Sequence, residues 1–173
     1  MIIADYSGQW KKLFQNEKFI LSKLFDEEIK AIEHIGSTAI PNRKAKPIID
    51  IFAGVETLRN KEYYETMLGK EYKFIEAGMK VRLLFNKKQN TDEEYNIHFL
   101  SFDEQFYIRN EKLFRDYLRG HPKLVVEYGA IKEELMGKYG LSFDYTYGKT
   151  QFIQIVVDRA RQEKGLKLQN VWE

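Results

Sequence analysis

A lone acid sits inside the most apolar stretch of the chain: Asp50, within Ile48-Ile49-Asp50-Ile51-Phe52-Ala53-Gly54-Val55. A buried, uncompensated carboxylate there faces a large desolvation cost. Compensation can come from a metal ion, a basic partner, backbone N–H groups or a place at the strand's end. An Asp salt-bridged to Arg or Lys in a partly wet spot answers the same need. Fourteen residues earlier stands Gly36-Ser37-Thr38. A glycine just after a strand lets the backbone approach a ligand closely, and N–H groups beside two hydroxyls suit phosphate oxygens. Alone, such a triplet is an ordinary turn with a helix cap; the strand aspartate gives it chemical meaning. Asp50 is therefore the candidate catalytic and metal-binding residue, with Gly36, Ser37 and Thr38 as the candidate phosphate cradle.

Positive charge for a phosphate is offered by Arg43, Lys44 and Lys46, between Ser37 and Asp50, by Arg82 on a strand candidate, and by Lys149. Of these, Lys46, Arg82 and Lys149 are the candidate ligand-binding residues. Lys149 falls at helical spacing from Tyr145, Phe152, Ile153 and Val156, on the apolar side of the last helix. An ammonium there needs an anionic partner or an escape route to water. It either reaches the cleft carboxylate or a phosphate, or forms a structural pair. His98 is the second candidate catalytic group, facing the site from a later strand, or else a half-buried strand histidine. His34, His98 and His121 show none of the short spacings that zinc sites favour. His121 reads as a helix-junction residue before Pro122.

The elements that must position these groups follow from periodicity. Ser7 reads as a helix N-cap, and Trp10, Leu13, Phe14, Ile20, Leu21, Leu24 and Phe25 keep helical spacing, interrupted by Glu17. Ile29 to Ile35 alternates as a strand and ends at Gly36. Ile48 to Val55 has the nearly continuous apolar character of a central strand covered on both faces. Thr57 to Gly69 predicts a helix stopping at its glycine. Tyr72–Ile75, Val81–Phe85 and Tyr95–Leu100 predict three strands, the last two a hairpin across the polar turn Asn86 to Glu93. From Asp103 the period turns helical, closing at Gly120, reopening at Pro122 and ending with a helix through Tyr145 and Ala160. The order predicts an α+β fold with a small mixed sheet.

Composition closes several doors. The 173 residues suit one domain of ordinary size, and no linker, repeat or low-complexity tract divides them. Twenty-eight Lys and Arg against 26 Asp and Glu leave a net charge of +2, without the basic–aromatic strip of a nucleic-acid binder. No apolar run approaches the ~18 residues of a membrane span, and no signal pattern opens the chain. Cysteine is absent, which excludes disulfides, thiolate nucleophiles and Cys-ligated zinc. A cytoplasmic protein without membrane partners is the expectation.

Glycine-serine, a spacer and an apolar strand bearing acid resemble the nucleotidyltransferases of the polymerase-β superfamily. In those enzymes the Gly-Ser backbone and hydroxyl hold triphosphate oxygens while carboxylates hold magnesium. A closer resemblance lies in Glu33-His34-Ile35-Gly36-Ser37-Thr38-Ala39-Ile40-Pro41 followed by Lys44-Ala45-Lys46-Pro47-Ile48-Ile49-Asp50-Ile51. This is similar to the signature of the GrpB family. Trp10 with Phe14 and Glu17, Phe114 to Arg119 with His121-Pro122, Tyr128 with Lys132, and Lys149 with Phe152-Ile153 agree in order. The resemblance thus spans nearly the whole chain. It implies a nucleotidyltransferase-like fold over residues 1–173, a small mixed sheet flanked by helices with a C-terminal helical segment. Fusion to dephospho-CoA kinase domains in the family implies a nucleotide- or CoA-related ligand.

One departure bears on chemistry. Active nucleotidyltransferases place two carboxylates at alternate residues of one strand, where both face the same metal ions. Here Phe52 holds the second place, and Glu94 or, less favourably, Glu56 is the substitute the chain offers. Relatives tend to carry His-x-His on the later strand, where this chain has Asn96 and His98. Two functions remain open. One is metal-assisted nucleotidyl transfer, with Mg2+ bridging Asp50 and the phosphates while Ser37 holds a terminal phosphate. The other is a ligand-binding or regulatory module that keeps the anion pocket without the chemistry. A purely structural role would explain Gly36 and Pro41 but not the clustered polar groups.

Overall fold

The first helix begins where Ser7 prepares it: the Ser7 hydroxyl accepts from the Gln9 N–H at 3.2 Å. α1 (Gln9–Phe25) buries Trp10, Phe14, Glu17, Leu21 and Phe25 along one stripe. In this computed structural model, residues 4–41, 45–89, 93–140 and 142–171 are described. Their contacts gather into two units, one ending at Phe106 and lacking the stretch that starts at Ile40, the other holding Ile40 and the helices after Tyr107. No Gly- or Ser-rich linker marks the division, so the sequence reads as continuous across it.

The first unit carries the sheet. β1 (Ile29–Ile35), β2 (Ile48–Val55), β3 (Tyr72–Ile75), β4 (Arg82–Lys88) and β5 (Glu94–Ser101) stand in the order β1-β2-β5-β4-β3. The β2–β5 pair is parallel and the others are antiparallel, which makes the sheet mixed. Between β2 and β3, α2 (Lys61–Leu68) starts later than its apolar pattern predicts, because the Asn60 side chain caps the Tyr63 N–H at 3.1 Å. β4 runs on to Lys88, so part of the expected polar turn is strand.

Residues opposite one another in a ladder share a face. One face gives Ile32, Ile49, Ile51, Ala53, Val55, Ile97, Phe99 and Phe85 to the main core, beneath Trp10, Phe14, Leu21 and Phe25 of α1 and Tyr64 of α2. The other face presents a small apolar cluster of Ile35, Phe52, Leu100 and Phe106. Beside that cluster lies a polar row that includes Asp50.

The main core also holds a charge. Glu17, which breaks the apolar stripe in the sequence, lies 2.8 Å from Lys87 Nζ with both side chains almost fully enclosed. Tyr72 donates its hydroxyl to Glu17 Oε1 at 2.5 Å, and Lys87 reaches the same hydroxyl at 3.2 Å. Burial, and then the Glu17 carboxylate, drive the Tyr72 hydroxyl far above its ordinary range. Tyr95, whose ring lies 5.4 Å from Lys87 Nζ, is pushed up to about 12, chiefly by burial.

The second unit is helical. α3 (Asn110–Gly120), α4 (Pro122–Tyr139) and α5 (Phe143–Glu163) bury Phe114, Leu118, Val125, Tyr128, Phe152, Val156 and Val157 together with Ile40. The rings of Tyr128 and Phe152 stack at 4.7 Å. Pro122 opens α4, and His121 takes the junction role its place implies: Nδ1 lies 2.7 Å from the Tyr117 carbonyl and the two rings stack. Among the described residues no helix is long and apolar enough to cross a membrane.

Candidate functional site

The site begins with a steric fact at the end of β1. Gly36 has φ +72°, and a Cβ placed on it would fall 2.5 Å from Asp50 Oδ2. Only a residue without a side chain brings its backbone this close to the carboxyl in this conformation. The register explains the meeting, since Ile35 pairs with Asp50 and the chain leaves β1 directly over that position. Ser37 follows in a single 3-10 turn, Ser37–Ala39. Gly36→Ala is expected to cost ~1–2 kcal/mol from the left-handed backbone alone, with the clash added. Gly8, with φ −60° and nothing within 4 Å of its Cβ position, is the matched control. Urea unfolding of the two variants tests this; equal midpoints would remove the close approach.

Among the described residues, the side chains that donate along the row to Asp50 are amides rather than cations. Asn96, its partner across the parallel ladder, donates Nδ2 to Asp50 Oδ1 at 3.1 Å. Asn86, next in the row on β4, donates to Asn96 Oδ1 at 2.9 Å and to Glu94 Oε1 at 3.0 Å. Burial pushes the Asp50 carboxyl up to about 6, with the Asn96 hydrogen bond opposing the rise and the Glu94 charge adding to it. Among the described residues the carboxyl gains no full counter-charge, and it shifts its proton equilibrium instead.

One register step along the same face, Phe52 pairs with His98. Their rings meet edge to face at 5.6 Å, and the Arg82 guanidinium lies over Phe52 at 5.5 Å. Arg82 Nε also points at Met79 Sδ, 3.1 Å away. Asp50, His98 and Arg82 therefore share one face of the sheet; Asp50 lies at the end closed by Gly36, whereas Arg82 pairs with Leu100, four residues along β5 from Asn96.

Thr38 has a different employment. Its hydroxyl donates to the Ile48 carbonyl at 2.9 Å and accepts from His34 Nε2 at 3.0 Å. His34 faces the main core, stacked on Phe14 at 4.8 Å. Thr38 is a buried latch tying the turn to the start of β2. Lys46 stands half-buried two residues before β2, where its carbonyl accepts from the Ile48 N–H at 2.7 Å. Lys149 is on α5 of the second unit, over the Tyr145 ring at 4.5 Å. Arg43 and Lys44 lie outside the described residues.

Sequence pattern alone places Asn86 in a turn and marks Asn96 only as the position of an absent histidine. Among the described residues no group of three or more His, Asp or Glu is arranged to hold a metal ion. The donor set at Asp50 fits one divalent cation arriving with its own phosphate ligands, since magnesium is commonly held by one or two carboxylates plus substrate oxygens. It does not fit a two-metal centre: Phe52 offers no ligand, and Glu94 is engaged by Asn86.

A mixed five-stranded sheet flanked by helices, with a parallel pair at its centre, defines an α+β protein. The same fold is found in the crystal structure of the conserved protein GrpB from Enterococcus faecalis, with a TM-score of 0.80, 28% identity, and coverage of 95% of this chain and 99% of that one. The chain belongs to the GrpB family, whose profile, described as GrpB protein, matches residues 1–159. The glutamate-rich protein GrpB of Alkalihalophilus pseudofirmus is 33% identical over 166 residues, covering 91% of this chain and 94% of that protein. The UPF0157 protein YqkA of Bacillus subtilis is 35% identical over 165 residues, which are 94% of this chain but 48% of YqkA. A chain of the GLD-2/RNP-8 complex shares the fold alone, with a TM-score of 0.58 at 12% identity.

Proposed function

We propose that the sheet-bearing unit binds a nucleotide or another phosphorylated small molecule at the Gly36–Ser37 turn, as a nucleotidyltransferase-like fold reduced to ligand recognition. The observation that carries this is the approach of Gly36 to Asp50, which puts the backbone of a Gly-Ser turn against an acid on a central strand. The N–H groups of the Gly36–Ser37 turn and the Ser37 hydroxyl suit phosphate oxygens. Arg82 shares the face of Asp50, and Lys46 precedes β2 in the same unit; these supply positive charge. Asp50 would hold one Mg2+ brought in by the phosphates, which supplies charge neutralisation there. Phe52 in the second acidic position, and Glu94 tied to Asn86, favour recognition over two-metal nucleotidyl transfer. The match to half of the longer YqkA suits a module that also works inside a larger chain, and a CoA-related ligand belongs to the same chemical class.

Thermal shift with ATP, GTP, CTP, UTP and CoA, with and without Mg2+, identifies the ligand, because a molecule that binds only the folded state raises its melting temperature. Calorimetry on Ser37→Ala and Arg82→Ala then tests the cradle. Each is expected to lose ~1.5–3 kcal/mol, roughly tenfold to a hundredfold in affinity, for one charge-assisted hydrogen bond. Unchanged affinity in both variants defeats the proposal.

A further inference from the structure

The row beside Asp50 has a direction. A carboxylate has only acceptor oxygens, and Asn86 turns its Nδ2 to Glu94 Oε1 at 3.0 Å. The second hydrogen of that nitrogen goes to Asn96 Oδ1 at 2.9 Å. With its oxygen taken, Asn96 has only Nδ2 to turn toward Asp50 Oδ1, 3.1 Å away. Each amide is oriented by its neighbour on the next strand, and the sense runs from Glu94 to Asp50. The ladders keep the members in line, with Asp50 opposite Asn96 and Asn96 opposite Asn86.

All four residues are half-buried, and burial dominates the surroundings of the Asp50 carboxyl. Besides satisfying these polar groups, the row adds orientation. A carboxyl turns in a broad, two-fold well about its last torsion. A donor fixed on Oδ1 selects one setting and leaves Oδ2 toward Gly36.

We propose that Glu94 and Asn86 are positioning residues for the ligand site: acting through Asn96, they hold Asp50 by Oδ1 and present Oδ2 to the Gly36–Ser37 turn. The inference rests on the reading of that turn as the place where a phosphorylated ligand binds. Glu94 is then a director of Asp50 and not its replacement as a second metal ligand.

The test follows the side-chain amide signals of Asn96 in proton–nitrogen spectra of the full chain. Asn86→Asp sets acceptor oxygens against both Glu94 and Asn96, so Asn96 must turn over; its amide signals are expected to move and its link to Asp50 to be lost. Glu94→Ala removes the directing acceptor and is expected to shift the same signals. Glu94→Gln keeps an acceptor oxygen and is expected to restore them, which serves as the conservative rescue in a folded protein. Asn96 signals that stay in place in both Asn86→Asp and Glu94→Ala overturn the proposal.

Calorimetry with ATP and Mg2+ adds the second arm, in which Asn86→Asp is expected to weaken binding by roughly tenfold, the worth of one hydrogen bond to a charged group. Signals that move while ATP affinity stays level with the wild type overturn the positioning role and leave the ligand site standing. If the wild type binds neither ATP nor the other nucleotides and CoA, the ligand reading fails. The amide signals still decide then: movement upholds the holding of Asp50, and constancy overturns it.

Discussion

Replacing Lys87 by methionine is expected to lower the melting temperature by roughly 6–20 °C, the equivalent of ~3–5 kcal/mol in a protein of this size. The loss does not measure the strength of the Glu17–Lys87 attraction. It comes from leaving the Glu17 carboxyl enclosed in the main core without its cation, 2.8 Å away in the native protein. Removing both charges is a different experiment. Glu17→Leu with Lys87→Met takes away the stranded carboxylate, and buried pairs replaced by apolar residues are often neutral or stabilising. Tyr72 must go with them, because its hydroxyl hydrogen-bonds both partners and would be orphaned. The triple variant Glu17→Leu, Tyr72→Phe, Lys87→Met is therefore expected to recover most of the loss. Thermal and urea unfolding decide. A triple variant as unstable as Lys87→Met would show that the pair is needed for more than mutual neutralisation.

Asp50→Asn should act oppositely, and only in one range of pH. The Asp50 carboxyl titrates at about 6 in the folded protein against 3.8 ordinarily. Between those values the folded chain holds a proton that the unfolded chain has released. Stability then falls as pH rises through that window, by roughly 3 kcal/mol in full, and stays lower above it. Below the window both states are protonated, and the contribution disappears. Asparagine does not titrate, so the variant should match the wild type near pH 3.5 and exceed it in stability above pH 6. Urea unfolding of both proteins from pH 3.5 to pH 8 isolates Asp50, since every other carboxyl is common to the two. A gap that does not change with pH would mean that the acid is not desolvated as described. A large loss of stability at pH 7 would mean that it anchors a structural pair.

The strands of the site were legible in the sequence because their periods were clean. Ile29–Ile35 alternates, Ile48–Val55 is apolar apart from Asp50, and Gly36 stands where a chain must turn sharply. Glu17 and Lys87 were not legible as a pair. Seventy residues separate them, and each looks local: one a defect in a helical stripe, the other a polar residue in a turn. Asn86 was hidden for a related reason. Asn86, Lys87 and Lys88 continue β4, yet their polarity imitates a loop because the partners that satisfy Asn86 and Lys87 belong to other elements. Thr38 shows the converse case. A hydroxyl beside Gly-Ser suggests a ligand contact, and in the fold it is held by His34 and Ile48. Periodicity reports which side of an element is apolar, whereas the partner of a polar group depends on register between distant strands.

The parallel pairing of β2 with β5 has a consequence for how the chain folds. β1 and β2 close on each other across one loop, and β3, β4 and β5 form a meander, so each half of the sheet is built from neighbours in sequence. The seam between the halves joins residues as far apart as Asp50 and Asn96, a separation of 46. Such non-local closure is slow, because loop entropy is lost before the contacts that repay it exist. The first half carries the turn and the acid; the second brings the amides, His98 and Arg82. Neither half holds the complete set, so the site comes into being only as the seam closes, and a chain stalled short of that step displays Asp50 without its director.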